Sequence, residues 1–159
     1  MLTSLVIQFT PAEPVNLPRD LGRASHALFL RLLSTLNAEL TNELHASGDI
    51  KPFTCSNVHG GKHREGSLIA APGDQLWVRY TGLTAPVSQL LTAIPAQLPA
   101  ESTVEIEGVQ FKVTGATMDS SINPPRRDYQ LRATQRAVSD GARHAGITPV
   151  AQVRLTDSV

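Results

Sequence analysis

The stretch "QLWVRYTGLTAPVSQLLTAIPAQL", residues 75–98, contains the change from strand to helix that decides the fold. Its second half predicts a helix, because Thr84 can cap the first turn and Pro86 is compatible with it. Its first half continues the preceding residues, and "SLIAAPGDQLWVRYTGL" predicts two short strands around Pro72 and Gly73. The segment therefore supplies two strands followed by a helix.

The residues towards the N-terminus add a strand and a helical region. "LTSLVIQF", residues 2–9, is short and rich in β-branched and apolar side chains, which predicts a strand buried on both faces. The proline-punctuated "TPAEPVNLPRD" predicts a loop, and a helix begins at Asp20 as its cap. Asn37 interrupts this helix, and "AELTNELHAS" predicts a further short helix closed by Gly48. The apolar face of the first helix is formed by Leu21, Leu28, Phe29, Leu32 and Leu36.

The remaining elements complete an α+β pattern. "KPFTCSNVHG" predicts a strand and "GKHREG" a turn or hairpin tip, while "STVEIEGVQFKVTGATM" predicts a hairpin with its turn at Glu107-Gly108. The order β-α-(α)-β-β-α-β-β predicts a ferredoxin-like sandwich over residues 1–118. We expect a mainly antiparallel four-stranded sheet with its two main helices on one face.

Composition bounds the class of protein. The 159 residues carry a net charge of zero, so no global field points to nucleic acid or membrane. One cysteine excludes an internal disulfide and fits a reducing compartment. "MLTSLVIQFTP" has no basic start, and its apolar run is too short for a signal peptide or a span. We expect a cytoplasmic protein without a membrane partner.

Basic side chains concentrate in two regions, one between Lys51 and Arg64 and one over residues 126–154, which carries six arginines. Such regions indicate local contacts with anions, although solvated side chains are the commoner explanation. Aromatic residues make up 4% of the chain, so the aromatic sheet signature of RNA-recognition modules is missing. Contacts to RNA phosphates are the better expectation. The candidate phosphate-binding residues are Lys62, Arg64, Arg126 and Arg127.

A metal site and a cofactor site are not expected. Cys55, His59 and His63 recur at four-residue spacing and would line one face of a helix, as zinc ligands can. Gly60-Gly61 disfavours a helix and no fourth ligand is evident, so a free buried Cys55 is the preferred interpretation. The sequence contains no phosphate-binding loop, dinucleotide fingerprint, nucleophile elbow or acidic cluster for magnesium.

His45 and Lys51 form the candidate catalytic pair. His45 lies at the end of a helical segment, and Lys51 follows across a glycine-containing turn. In RNA cleavage without metal, an imidazole can accept the 2′-hydroxyl proton or protonate the departing 5′-oxygen. An ammonium can stabilise the charge of the phosphorane. The alternative is that both side chains are simply solvated.

The quoted segments carry a family resemblance over about residues 1–118. "LGRASHALFLRLL…ELHASGDIKPFTCSNVHGG", continued by "GDQLWVRYTGL" and "VEIEGVQFKV", resembles the N-terminal half of the CRISPR-associated endoribonucleases that process precursor repeat RNA, which belong to the RAMP superfamily. The Leu-His…Lys-Pro-Phe-Thr segment is the most specific part. The resemblance implies an RNA-recognition-type ferredoxin-like domain that cleaves repeat RNA without metal or cofactor, leaving a 2′,3′-cyclic phosphate and a 5′-hydroxyl.

The resemblance also implies roles for individual residues. It puts the general acid/base histidine on His45 and the transition-state lysine on Lys51. Some members use a tyrosine on the first helix, and Leu30 occupies that position here. His26 lies one helical turn before Leu30 and could serve as the second proton-transfer group. The alternative is a helix-flank histidine packed near Leu33.

The chain departs from the family at its C-terminal end. The family has a second ferredoxin-like domain with a glycine-rich loop, and residues 119–159 are too few for it. We interpret them as a basic extension, with a helix over residues 128–144 and a strand at "VAQVRL", or as the start of an incomplete second domain. Activity of the chain alone is therefore an open question, and a missing domain or other CRISPR proteins are expected partners. The alternatives are a non-catalytic RNA-binding or assembly module and a protein-interaction domain.

Overall fold

The main sheet is antiparallel in all its pairings and is built around the N-terminal strand. The structure, a computed structural model, describes residues 2–46, 48 and 51–118. The strand order is β3-β7-β1-β9-β8, and β4 also pairs with β7. The bounds are β1 Thr3–Pro11, β3 Phe53–Cys55, β4 His59–Gly60, β7 Leu76–Gly82, β8 Thr103–Ile106 and β9 Val109–Thr117.

Three helices accompany this sheet. They are α1 Gly22–Leu36, α2 Ala38–Ala46 and α3 Ala85–Gln97. The strands β3, β7, β1 and β9 with α1 and α3 give the ferredoxin-like arrangement that the element order predicts. Asn37 ends α1, and its Oδ1 accepts a hydrogen bond from the Leu40 amide, 2.9 Å away, at the start of α2.

The helices α1 and α3 cover one face of the sheet. Side chains alternate along β7, where Leu76, Val78 and Tyr80 are buried and Trp77 and Arg79 are half-buried. The Tyr80 hydroxyl donates to the Ser25 carbonyl on α1, 3.1 Å away, and a Cβ on Gly82 would meet Ser88 on α3. The Tyr80 side therefore faces the helices, and Trp77 and Arg79 lie on the opposite face.

The buried side of α1 differs by one position from the predicted apolar face. Leu21, Leu28 and Phe29 are buried as expected. Leu32 and Leu36 are only partly buried against the core, whereas Leu33 is fully buried. The reason is that α1 approaches the sheet through the face that carries Ala24, Ser25 and Leu28. On that face Leu33 lies deeper than Leu32.

A second sheet joins one predicted strand, Ser67–Ala70, to two segments that we predicted to be a loop and a turn or hairpin tip. The strands β2 Val15–Pro18, β5 Lys62–Arg64 and β6 Ser67–Ala70 pair in the order β2-β6-β5. The predicted proline-rich loop thus contains a strand. The predicted hairpin tip does belong to a hairpin, formed by β5 and β6, with its turn at Glu65-Gly66. Proline is tolerated in β2 because β2 is an edge strand of this sheet.

Gly60 and Gly61 carry the chain from the main sheet to the second sheet. Both have positive φ angles, 96° and 62°. A Cβ on Gly60 would lie 2.3 Å from the Gln75 carbonyl oxygen, so the backbones of β4 and β7 approach closely only without a side chain there. Gly60 and Gly61 therefore allow β4 to pair with β7 in the main sheet and β5 to begin the second sheet one residue later.

Residues 119–159 lie outside the described residues, and with them the predicted helix over residues 128–144, the "VAQVRL" strand, Arg126 and Arg127. The proposed domain boundary after residue 118 stays a prediction.

Candidate active site

The C-terminal end of α2 carries the predicted catalytic pair. His45 is the basic residue of the last turn and is exposed. The Lys51 ammonium donates to the carbonyl oxygens of Leu44, 2.7 Å away, and His45, 3.4 Å away. These carbonyls belong to the last turn of a helix, where no intrahelical donor is available. Lys51 therefore holds its charge at the negative end of the α2 dipole, beside the residue that carries the candidate imidazole.

His26 lies on α1 against the start of β3. Its ring stacks on Phe53, with ring centroids 5.6 Å apart and an interplanar angle of 29°. Phe53 is itself buried and packs against Phe29 at 4.8 Å between centroids. The imidazole of His26 is half-buried where α1 meets β3. Phe53, on which it stacks, follows Lys51 by two residues in the sequence.

The three predicted catalytic residues share one electrostatic neighbourhood. The pKa of His26 is lowered from its ordinary value of 6.5, first by burial and then by the positive charges of Lys51 and His45. Burial and nearby cations both disfavour the imidazolium form. His26 on α1 is thus near enough to His45 on α2 and to Lys51 before β3 for their charges to affect its pKa. At neutral pH the arrangement offers a neutral imidazole beside an ammonium group.

The position of the family's helix tyrosine is occupied by a packing residue. Leu30 is partly buried and packs against the hydrophobic core. Tyr80 does not substitute for the missing phenol, because it is fully buried and its hydroxyl bonds Ser25. Burial also raises the pKa of Tyr80 far above its usual range. His26 is the only histidine of α1.

The predicted RNA-binding residues Lys62 and Arg64 lie on β5, in the second sheet. Both side chains are exposed, and so is His63 between them. The hairpin turns tightly after Arg64, since Glu65 and Gly66 both adopt positive φ angles. The structure therefore presents these cations on a solvent-facing hairpin, away from the α2–β3 junction.

The histidines and the cysteine at four-residue spacing lie on three separate strands. Cys55 is in β3, His59 in β4 and His63 in β5. Burial raises the pKa of the Cys55 thiol to about 12, which disfavours the thiolate that metals bind. Within the described residues, no group of three or more His, Cys, Asp and Glu side chains could hold a metal ion. The absence of zinc from the protein stays a prediction.

One aromatic cluster was not foreseen from the sequence. His59 and Trp77 are directly opposite each other on β4 and β7, and their rings stack at 4.2 Å between centroids and 21° between planes. The Arg79 guanidinium carbon lies 5.6 Å from the Trp77 ring centroid. Burial, Arg79 and His63 lower the pKa of His59 from 6.5. The two rings are 18 residues apart in sequence, so only the strand register reveals the pair.

The sheet and the helices define a ferredoxin-like domain. The family model described as the CRISPR Cas6 N-terminal domain matches residues 1–104. The chain therefore belongs to the CRISPR Cas6 family, and the resemblance stated from the sequence is confirmed. A search of curated proteins gives no significant match.

Solved structures with the same fold agree. A "Cas6 product complex" is 22% identical, with a TM-score of 0.52 over 73% of this chain and 40% of that one. A "CRISPR associated protein Cas6" is 13% identical, with a TM-score of 0.52 over 79% and 51%. "An RAMP protein binding different RNA substrates" is 14% identical, with a TM-score of 0.55 over 74% and 48%. This chain thus spans about half the length of these structures or less.

No helix among the described residues is long and apolar enough to cross a lipid bilayer.

Proposed function

We propose that this chain carries the proton-transfer groups of a Cas6 endoribonuclease and cleaves CRISPR precursor repeat RNA without metal. The observation that supports the proposal is that Lys51 bonds the end of α2 beside His45, and that both residues affect the pKa of His26, which stacks on Phe53 two residues after Lys51. A single cysteine is in keeping with work in a reducing cytoplasm. The expected products are a 2′,3′-cyclic phosphate and a 5′-hydroxyl.

The chemistry divides between the two imidazoles. A lowered pKa keeps His26 neutral at physiological pH, so His26 can accept the proton of the attacking 2′-hydroxyl. His45, exposed at the helix end, protonates the departing 5′-oxygen in its imidazolium form. Lys51 stabilises the extra negative charge of the five-coordinate phosphorane between them. Each imidazole ends the step in the other protonation state, and exchange with water restores both.

The RNA strand is expected to be held through its phosphates. Lys62 and Arg64 offer exposed cations on β5, and Arg126 and Arg127 are further candidates. Phosphate contacts fix the position of the RNA without reading its sequence. Because the chain spans 40–51% of the length of the solved relatives, we propose that a second domain or another CRISPR protein completes the RNA-binding surface.

One experiment tests the reaction directly. The chain, alone and with a candidate second domain, is incubated with hairpin repeat RNA in EDTA, and the product ends are identified. His45→Ala should reduce the cleavage rate by about 10²–10⁴-fold, the usual contribution of a proton-transfer imidazole. Gln89→Ala is the control, since Gln89 is also exposed on a helix but lies on α3, outside the proposed catalytic and RNA-binding residues. Cleavage by His45→Ala at the parental rate, or a requirement for magnesium, contradicts the proposal.

A second candidate function follows from the hydrogen bonds of Lys51. They satisfy the end of α2, which is a structural role that a non-catalytic RNA-binding or assembly module would also need. In that case the chain binds repeat RNA in a salt-dependent manner, and no cyclic phosphate forms with any partner domain. The EDTA incubation separates the two functions, because binding and end groups are measured in the same samples.

A further inference from the structure

The His59–Trp77 pair lies on the sheet face that α1 and α3 leave uncovered. Directly paired residues share a face, so Gln8, which pairs with Trp77 from β1, lies on the same side. Trp77 and His59 are each half-buried. Among the described strands, β4 pairs with β7, so the His59 ring stands at the edge of the sheet with Trp77 on its inner side.

We propose that the outer face of the His59–Trp77 stack binds one unpaired nucleobase of the RNA, with the neighbouring phosphates held by the cations around it. This site rests on the proposed RNA-binding function and adds to it a contact that the sequence composition argued against. Because the two rings are stacked face to face, the His59 ring at the sheet edge presents the flat outer face and Trp77 supports it from the inner side. Stacking on such a face is tolerant of base identity because every base has a π face.

The surrounding charges fit a polynucleotide. Arg79 lies over the indole of Trp77 on one side of the platform. On the other side, the chain continues from β4 through Gly60-Gly61 into the exposed cations of β5, Lys62 and Arg64. The platform itself is uncharged at neutral pH, because burial, Arg79 and His63 lower the pKa of His59 from 6.5. A neutral stacking surface bordered by cations matches a base and its two phosphates.

The site also lies within reach of the candidate active site. Phe53, on which His26 stacks, pairs with Gly82, and His59 pairs with Trp77 on the same strand β7. Five residues of a strand span about 17 Å. Stacked nucleotides repeat at about 3.4 Å along one strand, so about five nucleotides cover this distance. The two features lie on opposite faces at the edge formed by β3 and β4, and the RNA would pass across that edge.

The test uses the fact that Trp77 is the only tryptophan of the chain. Single-stranded RNA with non-cleavable 2′-O-methyl riboses is titrated into the full chain while tryptophan fluorescence is recorded. An RNA of the same length with abasic residues keeps the phosphates and removes the bases. We expect the base-containing RNA to change the Trp77 emission and to bind roughly 5- to 150-fold more tightly than the abasic RNA, the range for one stacked base.

Variants locate the contact. In fluorescence anisotropy with labelled RNA, His59→Leu should weaken binding of the base-containing RNA by the same factor and leave abasic RNA within about twofold, and Trp77→Leu, which removes the support of the His59 ring, should act in the same direction. His59→Phe keeps an aromatic ring and should bind as the parent does, whereas Lys62→Ala removes a proposed phosphate contact and should weaken binding of both RNAs equally. A melting curve confirms that each variant is folded.

Two results overturn the site. If abasic and base-containing RNA bind equally and the Trp77 emission does not change, no base stacks here, although cleavage that depends on His45 would leave the proposed function standing. If neither RNA binds to the chain, alone or with the candidate second domain, both proposals fail together.

Discussion

Replacing Lys51 by methionine separates the two tasks that the structure gives this side chain. The substitution keeps most of the aliphatic stem and removes the ammonium that bonds the carbonyls of Leu44 and His45. Hydrogen bonds to charged groups contribute about 1.5–3 kcal/mol when well buried. Lys51 is half-buried and sits at a helix end, so we expect a loss of about 1–2 kcal/mol in the free energy of unfolding.

The stability loss can be measured by thermal unfolding. For a chain of this length, 1 kcal/mol corresponds to about 2–4 °C in Tm, so Lys51→Met should lower Tm by about 2–8 °C. Lys51→Arg should retain part of the stability, because its guanidinium can still donate to a helix end. Lys112→Met is the matched control, since Lys112 forms an exposed ion pair with Glu101 and such pairs contribute about 0–1 kcal/mol.

The rate loss is measured at 25 °C, where every variant remains folded. Typical domains are stable by about 5–15 kcal/mol, so a loss of 1–2 kcal/mol does not deplete the native state. Removing one preorganised donor from a developing negative charge slows a reaction by about 10²–10³-fold. Lys51→Met should therefore cleave about 10²–10³-fold more slowly, with Lys51→Arg in between.

The two readouts refute different parts of the reasoning. A lowered Tm with a parental cleavage rate would make Lys51 a helix cap without a role in chemistry, as the binding-module function requires. An unchanged Tm would show that the bonds from Nζ to the α2 carbonyls contribute nothing measurable to stability.

Three further predictions concern acid, salt and packing. The acidic limb of the pH profile of kcat/KM should have an apparent pKa below 6.5, because His26 must be neutral to accept a proton and its pKa is lowered. His26→Ala should remove this limb, and a limb with an apparent pKa at or above 6.5 contradicts the assignment. The double variant Lys62→Ala, Arg64→Ala should weaken RNA binding across sequences and reduce the slope of log K against log salt by about 1.4–1.8, measured by anisotropy from 50 to 200 mM salt; an unchanged slope places the phosphates elsewhere. Leu33→Ala should cost about 2–5 kcal/mol in urea unfolding, and Leu36→Ala clearly less, since Leu33 is fully buried and Leu36 is not; equal losses would contradict the packing of α1.

The regular elements could be predicted because their signals are local. The hairpin at Glu107-Gly108 and the helix that begins after Thr84 each depend on turn or cap chemistry within a few residues. The second sheet could not be predicted in this way. Its strands contain three or four residues each, and the sequence of β2 predicts a loop because Pro11 and Pro14 precede it and its own last residue is Pro18. Only pairing with β6 makes that segment a strand.

The candidate site likewise contains residues that the sequence predicts and contacts that depend on the tertiary structure. His45 and Lys51 are six residues apart, and the family pattern pointed to both. The stacking of His26 on Phe53 depends on how α1 crosses β3, which the spacing of residues 26 and 53 does not encode. The His59–Trp77 pair depends on the register of β4 against β7, and a one-residue slip would separate the two rings onto opposite faces.

The two outer borders of the main sheet bear on how the chain behaves at high concentration. Exposed sheet borders invite pairing between molecules and aggregation. On one border, β3 and β4 are three and two residues long, and the segment between them turns away where Asn57 bonds the Leu21 amide and the Arg19 carbonyl. On the other border, the Arg31 guanidinium donates a hydrogen bond to the Glu105 carbonyl oxygen of β8. Neither border offers a long, unoccupied row of backbone groups, so preparations of this domain should resist strand-to-strand aggregation without a partner covering the sheet.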